Sequence, residues 1–145
     1  MRLTTVRFVD TNILLYAISA DPAERRKAAR ANEILDAGEV GLSVQVLQEF
    51  YVQATRASRA DAITHDQAAG LIESWCRFPL QVTTIDVMRA ALATRQRFGI
   101  SYWDAAILEA GRALGCAVVL SEDLDTTTDY DGIRVANPFD AELAD

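Results

Sequence analysis

The chain has 145 residues, half of them hydrophobic, and carries a net charge of -7 with a pI near 4.7. That size predicts a single domain over residues 1–145 with one substantial core, and the acidic balance argues against a general nucleic-acid coat protein or a protein of anionic membrane surfaces. Because no apolar stretch approaches the roughly 20 residues of a membrane span and the start of the chain lacks a secretory signal, we expect a cytoplasmic protein.

Short strand-like runs alternate with longer helical ones along the chain. The predicted strands are Val6–Val9, Gly41–Val44, Leu80–Thr83, Ala117–Leu120 and Ile133–Val135. The predicted helices are Asn12–Ile18, Glu24–Ala37, Gln45–Ala57, Asp66–Arg77, Val87–Phe98 and Tyr102–Leu114. This alternation over short connections predicts an α/β fold, with a mostly parallel sheet that helices cover on both faces.

Several residues mark the ends of the predicted helices. The stretch "THDQ" fits a capping box between Thr64 and Gln67, and Asp86 is expected to cap the fifth helix. Helices are expected to stop at Gly38, Gly99 and Gly115.

The cysteine and histidine content limits the kinds of catalytic and metal site that this chain can form. Cys76 and Cys116 lie in apolar contexts, so we expect small buried hydrophobes of a reducing cytosol rather than a disulfide. His65 is the only histidine, which excludes mechanisms that need two imidazoles. There is no Cys/His cluster that would indicate zinc.

In "VRFVDTNILLYAI", an apolar run stops at Asp10 and resumes two residues later. Ligands of parallel sheets bind beyond the carboxyl ends of the strands, where this residue is expected. Aspartate is also a common N-cap of a helix. From this stretch alone, a helix cap and a functional carboxylate are equally good interpretations.

Three further segments carry carboxylates at a strand end or near the start of a helix. Glu49 lies beside the apolar face of its helix, and taken alone a solvated face is the better interpretation. Asp104 falls within the packing stripe of the last helix, in a first turn that Ser101 can cap, which favours a functional role. In "VVLSEDLD", a buried strand runs into Glu122 and Asp123, where an ordinary polar loop is the alternative.

The predicted topology brings these four segments to one edge of one sheet. Clustered like charges either raise pKa values or recruit a cation. No arginine or lysine in the immediate motifs is an obvious partner, so a metal ion is the natural cation. An all-oxygen ligand set suits Mg²⁺ or Mn²⁺, and such a site fits phosphodiester hydrolysis.

The chain resembles the PIN-domain family, and most closely the VapC-type toxins of prokaryotic toxin–antitoxin pairs. The resemblance spans residues 8–139 and rests on five segments in family order: "FVDTNILLYA", "LSVQVLQEFY", "GISYWDAAILEAGRALGC", "VVLSEDLD" and "VANPFD". One stretch departs from the usual pattern, because "DTTTDYDG" delays the glycine of the turn after "SEDL" to Gly132.

The resemblance implies a three-layer α/β/α sandwich and a Mg²⁺-dependent endoribonuclease whose products carry 5′-phosphate and 3′-hydroxyl ends. It assigns catalysis and metal binding to Asp10, Glu49, Asp104 and Asp123, with Thr11, Asn12 and Ser121 as polar companions. Glu122 is a neighbour less suited to touch the metal. The resemblance also implies a small antitoxin that covers the site, while the sequence leaves open whether the chain forms a homodimer.

Three other functions are alternatives to this one. A PIN-like scaffold with a vestigial acidic cluster would serve only to dock a partner. A phospho-acceptor receiver domain needs a lysine in its pocket, but Lys27 lies in a helix with no strand-end signal. A DNA-directed or RNA-processing nuclease of the same fold would use the same chemistry. The basic segments "ERRKAAR" and "TRASR" are candidates for steering an RNA backbone, although a solvated helix face is the better interpretation of any single arginine.

Overall fold

The computed structural model describes residues 6–140, so residues 1–5 and 141–145 of the predicted domain lie outside the described residues. The strands are β1 (Arg7–Val9), β2 (Val40–Ser43), β3 (Leu80–Gln81), β4 (Val118–Leu120), β5 (Asp129–Tyr130) and β6 (Ile133–Ala136). The helices are α1 (Thr11–Ala17), α2 (Arg25–Ala37), α3 (Val44–Ala54), α4 (His65–Trp75), α5 (Ile85–Phe98) and α6 (Tyr102–Ala113), with a 3-10 turn at Pro22–Glu24. Every predicted element is present, with ends that differ by no more than three residues.

One sheet holds the strands in the order β3-β2-β1-β4-β6-β5. All neighbours pair in parallel except β5, which is antiparallel to β6. The mostly parallel sheet is therefore confirmed. In the centre, Val9 is in register with Leu120, so the chain leaves β1 and β4 side by side at the same edge. This register sets Asp10 and Ser121 next to each other.

Helices flank the sheet, as expected of an α/β/α sandwich, and α6 lies especially close to it. A Cβ added at Gly111 would stand 3.2 Å from the Cβ of Phe8 and 3.3 Å from a methyl of Val119. Because glycine occupies this position, α6 can pack directly against β1 and β4. None of the helices within residues 6–140 is long and apolar enough to cross a membrane.

The strand β5 was not predicted, and it belongs to the segment where the sequence departs from the family pattern. Asp131 and Gly132 both have positive φ, 53° and 96°, as a two-residue hairpin turn with the right strand twist requires. Two residues are too few to show a strand periodicity. The Asp-Gly pair was the available signal for this β5–β6 hairpin.

Most helix ends follow the sequence. Thr64 and Gln67 form the complete capping box, and the chain adopts a left-handed conformation at Gly38, Gly99 and Gly115. The prediction for α5 was wrong, because Thr84 is the N-cap and its side chain accepts from the N–H of Val87. Asp86 lies instead in the first turn, where its charge interacts favourably with the helix dipole.

The two cysteines differ in burial. Cys116 is buried, as predicted. The prediction for Cys76 was wrong: this residue is exposed, because it is the C-cap of α4 and lies beyond the buried stripe of that helix.

Candidate active site

Asp10 leaves β1 and begins α1. Its backbone N–H donates to the carbonyl of Leu120 at 3.0 Å, and its Oδ1 accepts from the N–H of Thr11 at 2.7 Å. The helix-cap interpretation is therefore confirmed for one oxygen of the carboxylate. The other oxygen is directed to different partners, so capping does not account for the whole group.

Ser121 and Asn12 hold that second oxygen. The Ser121 hydroxyl donates to Asp10 Oδ2 at 2.8 Å, and the same hydroxyl oxygen accepts from the N–H of Asp123 at 3.1 Å. The Asn12 amide nitrogen lies 3.2 Å from Asp123 Oδ2 and 3.4 Å from Asp10 Oδ2. One amide thus bridges two of the four predicted carboxylates.

Glu122 points away from these carboxylates. It forms an ion pair with Lys27 and accepts from the Tyr16 hydroxyl, while its backbone N–H donates to Asn12 Oδ1 at 3.2 Å. Lys27 lies in a helix, as predicted, and its ion pair joins α2 to the loop after β4. Its cation is directed to Glu122, which keeps this residue apart from the four carboxylates.

Glu49 reaches the site from α3. Its Oε1 accepts from the Thr11 hydroxyl at 2.8 Å, and its side chain is half-buried. The interpretation of this residue as part of a solvated helix face was wrong. Thr11 lies 38 positions earlier in the chain, so the helical periodicity around Glu49 could not show the contact.

Asp104 reaches the site from the first turn of α6. Ser101 caps this helix and accepts from the N–H of Asp104 at 3.1 Å, which sets the direction of the turn. The residue is half-buried. Within residues 6–140, no group donates a hydrogen bond to its carboxylate, so both oxygens are available to a ligand.

A cavity of about 190 Å³ joins the predicted site residues. Its lining includes Asp10, Glu49, Asp104 and Asp123, together with Thr11 and Asn12. No lysine or arginine belongs to that lining. Gln53 and Trp103 also line the cavity and were not predicted; the signals were their positions one helical turn after Glu49 and next to Asp104.

Asp10 carries the strongest electrostatic perturbation of the site. The pKa of its carboxyl is raised from 3.8 to about 6 by all its surroundings together, and burial is the largest cause. Hydrogen bonds from Ser121 and Thr11 lower this pKa, and the charges of Glu49 and Asp123 raise it further. A raised pKa is the expected effect of burying a carboxylate beside other carboxylates.

The donor set fits a hard divalent cation. All the side-chain donors around the cavity are oxygens except the amides of Asn12 and Gln53 and the Trp103 indole. Within residues 6–140, no group of three or more acidic, histidine or cysteine side chains is arranged to hold a metal ion directly. Mg²⁺ commonly binds through one or two carboxylates and keeps several waters, so two direct ligands and water-mediated contacts suffice.

The fold and the site define a class: an α/β protein with an acidic, oxygen-lined cavity at the carboxyl edge of a parallel sheet. The PIN domain family matches residues 7–131, so the chain belongs to the PIN domain family. This is a family of nucleases. Among curated proteins, no sequence match was found.

Solved structures share the fold. A toxin–antitoxin complex from Klebsiella pneumoniae contains a chain 21% identical, with a TM-score of 0.66 over 92% of this chain and 98% of that one. VapC20 of Mycobacterium tuberculosis, a toxin that cleaves the sarcin–ricin loop, is 18% identical with a TM-score of 0.61 over 88% and 93%. FitAcB from Neisseria gonorrhoeae is 16% identical with a TM-score of 0.63 over 94% and 99%.

Proposed function

We propose that this protein is a Mg²⁺-dependent endoribonuclease, able to use Mn²⁺, and the toxin of a cytoplasmic toxin–antitoxin pair. The observation that carries the proposal is the cavity at the sheet edge, where four carboxylates from four chain segments meet without a lysine or arginine. Membership in a nuclease family and the likeness to toxin structures support the same activity.

Each carboxylate has a distinct role in this proposal. Asp10, Asp104 and Asp123 hold the metal ion, directly or through water, and Glu49 is a further ligand or orients the attacking water. The Thr11 hydroxyl occupies one oxygen of Glu49, which leaves the other free to accept a proton. When bound, Mg²⁺ acidifies water and stabilises the charge of the displacement. The products carry 5′-phosphate and 3′-hydroxyl ends.

Thr11, Asn12 and Ser121 act as positioning residues. Their hydrogen bonds fix the carboxylates of Glu49, Asp10 and Asp123 before any ligand arrives. Groups that orient metal ligands in this way commonly matter almost as much as the ligands.

Cleavage of structured and unstructured RNAs tests this proposal. We expect cleavage with Mg²⁺ and no cleavage with EDTA. Cleavage by Asp104→Asn should be about a thousandfold slower; this substitution replaces one carboxylate oxygen with an amide nitrogen and removes no hydrogen bond. Equal cleavage by wild type and Asp104→Asn would contradict the site assignment. Cleavage of DNA in preference to RNA would support a different nuclease, and the absence of any cleavage would support a docking scaffold.

The antitoxin is the second part of the proposal. Support comes from the solved Klebsiella pneumoniae complex, a toxin bound to its antitoxin. A small protein encoded beside this chain should form a stable complex with it and abolish RNA cleavage. Copurification and a cleavage assay on the complex provide the test. An adjacent protein that neither binds nor inhibits would contradict the toxin assignment while leaving the nuclease intact.

A further inference from the structure

Trp103 is a large side chain that remains unusually open to solvent. It is 63% exposed and stands next to Asp104 in the first turn of α6. A single exposed apolar residue needs no explanation, but Trp103 borders three cavities, including the one lined by the four carboxylates. It is therefore placed where a substrate would extend from the reactive site.

Two contacts hold Trp103 in position. The Tyr102 ring packs edge-on against it, with ring centroids 5.0 Å apart and an angle of 79° between the planes. The side-chain amide of Gln45 on α3 donates to the Trp103 carbonyl at 3.4 Å. The hydrogen bond fixes the backbone at Trp103, and the Tyr102 ring packs against one side of the indole.

A groove of about 330 Å³ beside Trp103 is lined by apolar, amide and cationic side chains. Trp103 and Val52 supply apolar surface, and Val52 is itself 56% exposed. Gln48 and Gln53 supply amides, and Arg56 supplies a cation. Of the ion pairs formed within residues 6–140, none involves Arg56. We call this surface the Trp103 groove.

We propose that the Trp103 groove binds one unpaired nucleotide of the RNA, adjacent to the bond that is cleaved; this inference rests on the proposed function. The base stacks on Trp103, since aromatic side chains bind unstacked bases of every type. The amides of Gln48 and Gln53 contact the base edge, and Arg56 contacts the following phosphate. Glu49 lines both the groove and the acidic cavity, which makes the two sites continuous.

Stacking on Trp103 requires a base that is not paired within a duplex. A base within a duplex is stacked between its neighbours and cannot lie on a protein ring without being extruded. The groove therefore selects RNA that is single-stranded at the cleavage position. Duplex RNA of the same sequence should be cleaved poorly.

Steady-state cleavage of a single-stranded RNA tests the stacking contact. Replacing Trp103 with leucine (Trp103→Leu) should raise KM about tenfold or more and change kcat little, because stacking contributes to binding rather than to the chemical step. Trp103→Phe should retain most of the affinity. The matched control is Leu92→Ala, since Leu92 is 51% exposed and lines none of the three cavities; its KM should match wild type.

RNA substrates that each lack one base show which nucleotide stacks on Trp103. At one position beside the cleaved bond, loss of the base should raise KM for wild type about tenfold. The same substrate should give Trp103→Leu no further loss. Equal losses for both proteins at every position would show that no base stacks on this side chain.

A binding measurement separates this inference from the proposed function. In EDTA at low salt, single-stranded RNA should quench the fluorescence of wild type but not of Trp103→Phe, whose remaining Trp75 is buried. Quenching without cleavage in Mg²⁺ would support the groove while contradicting the nuclease. Cleavage with no quenching and an unchanged KM for Trp103→Leu would contradict the groove alone. If that variant instead changed only the oligomeric state, the face would be an interface between copies and the proposal would be wrong.

Discussion

The two sides of the acidic cavity are built differently. The anchored wall, made of Asp10, Asn12, Ser121 and Asp123, follows the ends of β1 and β4 and is joined by hydrogen bonds of 2.8 to 3.4 Å. The open wall consists of Glu49 and Asp104, carried on two helices. Among residues 6–140, Thr11 provides the one hydrogen bond to the Glu49 carboxylate, and no residue donates to the Asp104 carboxylate.

The two walls therefore have different functions: the anchored wall holds its carboxylates in position, and the open wall offers oxygens to a ligand. The anchored wall is organised before a ligand binds, at the energetic cost of burying a charge. The open wall keeps unused lone pairs that a metal ion or its waters can occupy. We therefore expect changes in the anchored wall to affect both stability and cleavage, and changes in the open wall to affect cleavage alone.

The largest effect should come from neutralising one carboxylate in each wall. Asp10→Asn and Asp104→Asn should each lower RNA cleavage about a thousandfold, because metal-ion catalysis supplies several kcal/mol of stabilisation. Single-turnover rates in Mg²⁺ provide the measurement. The matched control is Asp86→Asn, whose exposed carboxylate lies in α5 and which should cleave like wild type.

The free energy of unfolding should distinguish Asp10→Asn from Asp104→Asn. The folded-state pKa of Asp10 is about 6, above its ordinary value of 3.8, so the folded state retains a proton that the unfolded chain has lost. The stabilisation from this proton is complete below pH 3.8 and is lost as the pH rises through 6. In EDTA at pH 8, Asp10→Asn removes this electrostatic cost of about 3 kcal/mol but also loses one acceptor oxygen, which costs about 1 kcal/mol or more. The variant should therefore be about 1 to 2 kcal/mol more stable than wild type.

Urea unfolding at pH 5 and pH 8 provides the measurement for that prediction. The advantage of Asp10→Asn should shrink at pH 5 and should also shrink in saturating Mg²⁺, which stabilises wild type by mass action. Asp104→Asn, which loses no hydrogen bond, should stay within about 1 kcal/mol of wild type. An Asp10→Asn protein less stable than wild type at pH 8 in EDTA would contradict the burial argument.

Much of this arrangement could be predicted from the sequence. The carboxyl ends of parallel strands lie at one edge of a sheet, so the strand pattern alone predicts that Asp10 and Asp123 lie near each other. Asp104 was expected to face inward from its place in the helical stripe. The structure brings these three carboxylates to one cavity with Glu49, for which the local pattern alone favoured solvent.

The remaining contacts depend on tertiary packing. Lys27 and Glu122 are 95 residues apart, and no periodicity connects them. Glu109 of α6 is a charged residue that is only 5% exposed. Thr94 donates to its carboxylate at 2.7 Å and Arg112 at 2.9 Å. Arg112 lies three residues later on the same helix, but Thr94 comes from α5, and local sequence does not reveal this second partner.

The bridging amide of the anchored wall gives the next smaller effect. Asn12→Ala removes the donor shared by Asp10 and Asp123 and should lower cleavage about 10- to 100-fold, the usual effect of losing a group that orients metal ligands. Its unfolding free energy should fall by about 1 to 2 kcal/mol. Asn32→Ala is the matched control, because Asn32 is an exposed asparagine of α2 that donates to the backbone carbonyls of Ala17 and Ala28. Full activity of Asn12→Ala would mean that the carboxylates need no bridge.

The smallest effect should arise where the anchored wall meets α2. Lys27→Met removes the cation that pairs with Glu122, but the lysine side chain is 40% exposed, and such pairs contribute less than about 1 kcal/mol. The Tyr16 hydroxyl and Asn12 still hold Glu122 from two other directions, so cleavage should change less than about threefold. Cleavage rates and urea unfolding at pH 7 provide the measurements. Loss of cleavage at unchanged stability would place Lys27 on the substrate path, and the anchored wall would then extend to α2.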